Sequence, residues 1–228
     1  NIMFRPNIRL TKNDGQVVSS SAAYNADPYE TVDDPLSTAS IAQLKALGTM
    51  VNTQRNMTIS YGNSTSLGAM LQVNRKLSSN GRNVTLRVDG NYSDSDSKTF
   101  STQDIQYFQL QDALGNDSTF RAYRYNLMPT KSWDYALQAT YSEPIARKTY
   151  LQFSYQFKYG FSKSDRDTYD LSAMPSGTFG SLQPAYRSWD NYLGLLTNPM
   201  ASYLDDNLSR YSEYRTYTHD MQVMMRMI

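Results

Sequence analysis

The sequence contains no cysteine, which excludes a disulfide scaffold, a thiol nucleophile and a cysteine-ligated zinc while still permitting an oxidising compartment. Histidine occurs once, as His219, and no neighbouring residues build a Ser-His-Asp arrangement around it. It is expected near the loop end of the final strand, as a residue of an interfacial girdle. No apolar run reaches the roughly 18 residues of a membrane helix, and no signal-peptide pattern is present. Charge is not concentrated either: 22 basic and 21 acidic residues are dispersed along the chain and give a net +1. No nucleic-acid partner is therefore expected. Asp27, Asp33, Asp34, Asp94 and Asp96 lack the spacing of a calcium loop and read as solvated carboxylates. No enzyme activity, metal or cofactor is expected.

Aromatic residues are abundant. They make up 13% of the chain, and 19 of them are tyrosine, whose apolar ring and polar tip suit a membrane boundary or a binding loop. The mean hydropathy of -0.61 is that of a soluble protein at first sight. A transmembrane β-barrel is equally polar on average, because only alternate residues face lipid and its loops are hydrophilic.

The clearest pattern runs from Thr149 to Phe161. Leu151, Phe153, Tyr155, Phe157, Tyr159 and Phe161 are apolar or aromatic, whereas Gln152, Ser154, Gln156, Lys158 and Gly160 between them are polar or small. A period of two makes a strand with one greasy face and one wet face. Similar alternation appears at Ile2–Leu10, Met57–Val73, Val84–Tyr92, Trp133–Tyr141 and Tyr217–Met225, so six strands are expected. Pro6 removes a ladder donor and places the first strand at an edge, at a bulge or in another register. Asn80-Gly81 marks a tight hairpin and Glu143–Arg147 a short turn. Asn13 to about Arg55, Asp94–Lys131 and Ser162 to about Arg210 are polar and read as long excursions. The first contains a helix, Ser40–Leu47, capped by Ser37 or Thr38 and ended by Gly48. The second is expected to project as a hairpin turning at Leu114–Asp117.

Connections then alternate long, short, long, short, long. In an up-and-down sheet this puts long loops at one rim and short turns at the other, as in an outer-membrane barrel. A soluble β-sandwich would also have one apolar face. The length of the Thr149–Phe161 strand and the aromatic ends at Trp133, Tyr141, Tyr61 and Tyr92 favour the barrel. The fold class expected is therefore all-β: an antiparallel up-and-down transmembrane β-barrel arc over residues 1–228. Leu151, Phe153, Tyr155, Phe157, Tyr159 and Phe161 are expected to face lipid, and Gln152, Ser154, Gln156 and Lys158 the lumen or a plug. Six strands do not close a wide barrel, and the chain is expected to be a fragment of a larger protein.

Three segments, NRKLSSNGRNVTL (Asn74–Leu86), YNLMPTKSWDY (Tyr125–Tyr135) and YSEPIARKTYLQFSY (Tyr141–Tyr155), resemble the barrel portion of the TonB-dependent receptor-like outer membrane proteins of Bacteroidetes. The resemblance rests on strand patterning and turn sequences. It implies a 22-stranded barrel in the bacterial outer membrane, an upstream plug domain absent from this sequence, and import energised by the TonB complex. Aromatic loop residues are then ligand-binding candidates: Tyr107, Phe108, Tyr123, Tyr125, Tyr186, Trp189 and Tyr192. Self-packing of the loops and anchoring at the interface are the plainer reading of the same residues. The alternative function is a non-transporting β protein, either an adhesion or structural barrel or a soluble ligand-binding domain.

Overall fold

The computed structural model describes residues 1–146, 148–175, 178–179 and 189–227, with Trp189 and Asp190 described by backbone only. Six strands form one antiparallel sheet in sequence order: β1 Ile2–Tyr24, β2 Met50–Lys76, β3 Asn83–Gln111, β4 Asp117–Ala146, β5 Thr149–Asp170 and β6 Arg210–Met227. β1 and β6 are not paired with each other, so the sheet is open. Strands of 18 to 30 residues far exceed the 3–10 residues usual in globular proteins.

All six expected strands are present, but they are longer than their apolar patterns. β1 continues through Asn13–Tyr24, and β3 and β4 take up almost all of Asp94–Lys131. The middle excursion is thus the hairpin expected, its arms continuing β3 and β4 within the sheet to a tight turn at 112–116, where Asp112 accepts from the backbone N–H groups of Leu114 and Asn116, and Gly115 has φ 80°. These segments were opaque to alternation because serine, threonine and asparagine stand on both faces. Their strand character comes from ladder pairing with a neighbour, not from a greasy face. One rim thus carries the connections 25–49, 112–116 and 171–209, and the other 77–82 and 147–148. The two long connections do share a rim; the third at that rim is short.

Pro6 lies in unbroken register opposite Ala69, and β1 is an edge strand. The expected helix is α1, Thr38–Ala46, with the Ser37 side chain accepting from the Ser40 N–H and Gly48 at φ 72° past its end. At the other rim Gly81 has φ 98°, and a Cβ there would meet the Tyr150 ring at 3.0 Å. Two constraints therefore select glycine in the Asn80-Gly81 turn.

Register joins the apolar faces of the strands into one. Phe4, Leu71, Val88, Leu137, Phe157 and His219 stand side by side in one cross-strand row, and Ile8, Leu67, Tyr92, Trp133, Phe161 and Arg215 in another. On the opposite face the neighbours are polar: Ser66 and Ser93 are 3.3 Å apart, Asn91 donates to Asp134 at 2.8 Å, and Gln138 donates to Ser154 at 3.2 Å. Lys158 pairs there with Asp220 at 3.8 Å.

Candidate functional site

Followed from the short-turn rim toward the long-loop rim, the apolar face of the sheet changes character twice, giving three zones. The first zone is a band bounded on β5 by Leu151 and Phe161. Its rings pack along the sheet, with Tyr135 5.2 Å from Tyr159 and Tyr159 5.1 Å from Tyr217. Trp133 stacks on Phe161 at 3.9 Å. Among the described residues nothing covers this band: Val88, Leu137 and Phe153 stay 43%, 46% and 44% exposed. His219 lies in the middle of the band, not near the loop end, because β6 begins well before it at Arg210. Its Nδ1 is 2.8 Å from the Tyr155 hydroxyl.

The second zone is ionic. Immediately past Trp133 and Phe161 the next row reads Leu10, Thr65, Asp94, Lys131, Lys163 and Glu213. Lys131 and Asp94 are 3.4 Å apart, Lys98 and Asp96 3.7 Å, and Arg215 and Glu213 2.5 Å. The Tyr92 hydroxyl points its proton at Asp94 across 3.2 Å. Aromatic rings thus abut a collar of paired charges along one edge of the band.

Beyond this collar the same face becomes apolar again. Ile59, Phe100, Tyr125 and Tyr169 form one row, with Met57 and Tyr123 in the next. Here the chain supplies its own cover, since Phe179 and Tyr192 from the β5–β6 connection fold onto the strands. Phe179 sits 4.7 Å from Phe100 and edge-on to Tyr123 at 5.9 Å, and Tyr192 lies 5.3 Å from Phe100. Phe100 and Tyr123 are 1% exposed and Phe179 is fully buried. Burial pushes the hydroxyls of Tyr123, Tyr125 and Tyr192 up to about 12. For Tyr123 the hydrogen bond to Asp104 at 2.5 Å acts in the same direction, and for Tyr125 the negative charge of Asp96 does.

The aromatic candidates from the sequence are dispersed by this arrangement. Tyr123 and Tyr125 belong to β4 rather than to a loop and are buried in the capped cluster, as is Tyr192. Their rings pack on protein, so they are not the exposed platforms expected of them. Tyr107 and Phe108 are adjacent on β3 and half-buried, hence on opposite faces. Lys45 of α1 sits 5.1 Å over the Phe108 ring and ion-pairs with Asp117. Tyr186 lies outside the described residues, and Trp189 is known by its backbone, at the start of the short helix Trp189–Leu193. Sequence reasoning missed Phe100, Tyr169 and Phe179 as the other half of the cluster. The available signal was Phe100-x-Thr102-x-Asp104 facing Arg121-x-Tyr123-x-Tyr125, an alternation diluted by polar residues.

The class of protein these features define is an open antiparallel meander with one polar face and one face divided into bare, ionic and capped zones. No known family model matches the chain, and no curated protein matches it.

Proposed function

We propose that this chain is part of the wall of an outer-membrane receptor or transporter of the TonB-dependent type, with the bare band against lipid and the polar face toward the lumen. The single observation that carries this reading is the contrast within one face: past the ionic collar the chain covers its apolar rings with its own loop, and before it none of the described chain does. In water both zones would need the same protection.

The dimensions agree. Leu151 to Phe161 spans about 33 Å along a strand, which at a tilt of roughly 45° gives about 23 Å of height, close to the apolar band of about 25 Å of such barrels. Aromatic rings followed directly by paired charges are what a boundary between hydrocarbon and headgroups selects. Unpaired edges in hydrocarbon cost several kcal/mol per backbone group, so β1 and β6 call for further strands of the same barrel as partners. A plug domain and the TonB complex enter as partners through the resemblance of Asn74–Leu86, Tyr125–Tyr135 and Tyr141–Tyr155, and with them energised import of a nutrient.

The test is detergent phase partitioning and outer-membrane fractionation of the full-length protein. Recovery in the aqueous phase without detergent would sink the membrane reading. Retention of the periplasmic domain of TonB on the purified full-length protein is expected as well, and its absence would remove energised import while leaving the barrel wall.

A further inference from the structure

Past the capped cluster the β1–β2 connection roofs a separate cavity of about 770 Å³, within the size range of small-molecule sites. Its floor is one cross-strand row: Ser20, Arg55, Asp104 and Arg121, one residue from each of β1 to β4. Thr53, Gln106 and Thr119 from the following row add hydroxyl and amide groups, and Ile41 of α1 and Leu36 close it from the loop side.

The charges are arranged unusually for a ladder. Asp104 stands directly between Arg55 and Arg121, yet among the described residues neither guanidinium forms an ion pair with a carboxylate. Asp104 Oδ1 instead accepts the hydroxyl proton of Tyr123. Two planar donors thus line a concave space whose net charge is +1, beside a carboxylate anchored from the cluster below. Guanidinium forks hold carboxylates bidentately, and a carboxylate flanked by threonine and glutamine groups accepts and donates as neighbouring hydroxyls require.

We propose that this pocket binds a small hydroxylated carboxylate, with the ligand carboxylate held by Arg55 and Arg121 and its hydroxyls by Asp104 and the Thr53, Gln106 and Thr119 groups. The site lies on the face that carries the apolar band, on the opposite side of the sheet from the polar lining assigned to transport. It therefore does not depend on what passes along that lining, and it holds whether or not the bare band meets lipid.

The test uses the full-length protein in detergent micelles, with tartrate, acetate and glycerol as probes read by calorimetry. Tartrate should bind saturably, acetate at least about tenfold more weakly, and glycerol without saturation. Arg55→Gln and Arg121→Gln should each weaken tartrate at least about tenfold, whereas Asp104→Asn should narrow the preference for tartrate over acetate. Arg55 is exposed and Arg121 half-buried, so the variants should keep the near-ultraviolet dichroism of the tyrosine cluster. Should Arg55→Gln lose that signal, Arg55→Lys keeps the charge without the fork, and an affinity between those of wild type and Arg121→Gln is expected. Absence of saturable tartrate binding, or equal affinity in wild type and both glutamine variants, would overturn the proposal.

Discussion

Phe100 and Phe153 occupy the same face of one sheet and have opposite surroundings. Phe100 is enclosed by Phe179 and Tyr192, while Phe153 lies open beside Tyr141 and Val223. Residue type does not separate the two zones, since both are built from aromatic and aliphatic side chains at alternate positions. What separates them is the charged row between, from Asp94 and Lys131 to Lys163 and Glu213, which divides an apolar surface that the chain covers from one that none of the described residues covers. On the proposed reading, protein hides the apolar surface that water reaches, and lipid covers the rest.

The largest effect should come from opening the covered zone. Phe100→Ala removes a ring that contacts both capping aromatics and should cost about 3–5 kcal/mol of local stability. The check is hydrogen exchange of the β3 and β4 amides near Phe100, which should speed up while amides near Leu137 stay unchanged. Equal loss of protection in both regions would deny that the cluster is a separate unit.

Next in size are charges in the bare zone. Phe153→Arg or Phe157→Arg should lower folding stability in lipid bilayers by about 2–4 kcal/mol, whereas Gln156→Arg on the polar face should be tolerated. Denaturant titration in vesicles measures both. Similar penalties on the two faces would count against lipid on one side and water on the other.

Alkali offers a graded opening of the covered zone. The hydroxyls of Tyr123, Tyr125 and Tyr192 hold their protons up to about 12 in the fold, against 10.0 when exposed. A raised acid pKa means that the folded state binds protons more tightly than the unfolded one. The stability this contributes is therefore complete below pH 10 and lost as pH rises toward about 12. Tyrosinate absorbance should develop late for these three, together with release of the cap; titration of all tyrosines in one step near pH 10 would contradict it.

The smallest effect is expected in the collar. Lys131→Gln breaks a solvent-exposed pair with Asp94 and should cost less than about 1 kcal/mol, decreasing further in high salt. A larger loss in a denaturation curve would mean that the collar holds the sheet together and does not merely mark a boundary.

The legible parts of the fold were those with local causes. The period-two runs at Thr149–Phe161 and Trp133–Tyr141 identify strands and their apolar faces, Asn80-Gly81 a hairpin, and Ser37 with Gly48 the limits of a helix. Each depends on residues a few positions apart. The ends of β1, β3 and β4 were hidden because a strand wet on both faces has no alternation to show. The candidate site was legible only in part: Tyr123 and Tyr125 stood out as aromatics with Arg121 beside them, but nothing near them in sequence announced Phe100, Phe179 or Arg55.

Sequence alone therefore settles the number of strands, their polarity and the division of each into a greasy and a wet side, because side chains alternate along any strand. Tertiary structure decides that Arg55, Asp104 and Arg121 share a row, that Phe179 and Tyr192 descend on Phe100, and that none of the described residues covers the band from Leu151 to Phe161. Those outcomes follow from cross-strand register and from where a long connection folds back, and both join residues too distant in sequence for any local pattern to record.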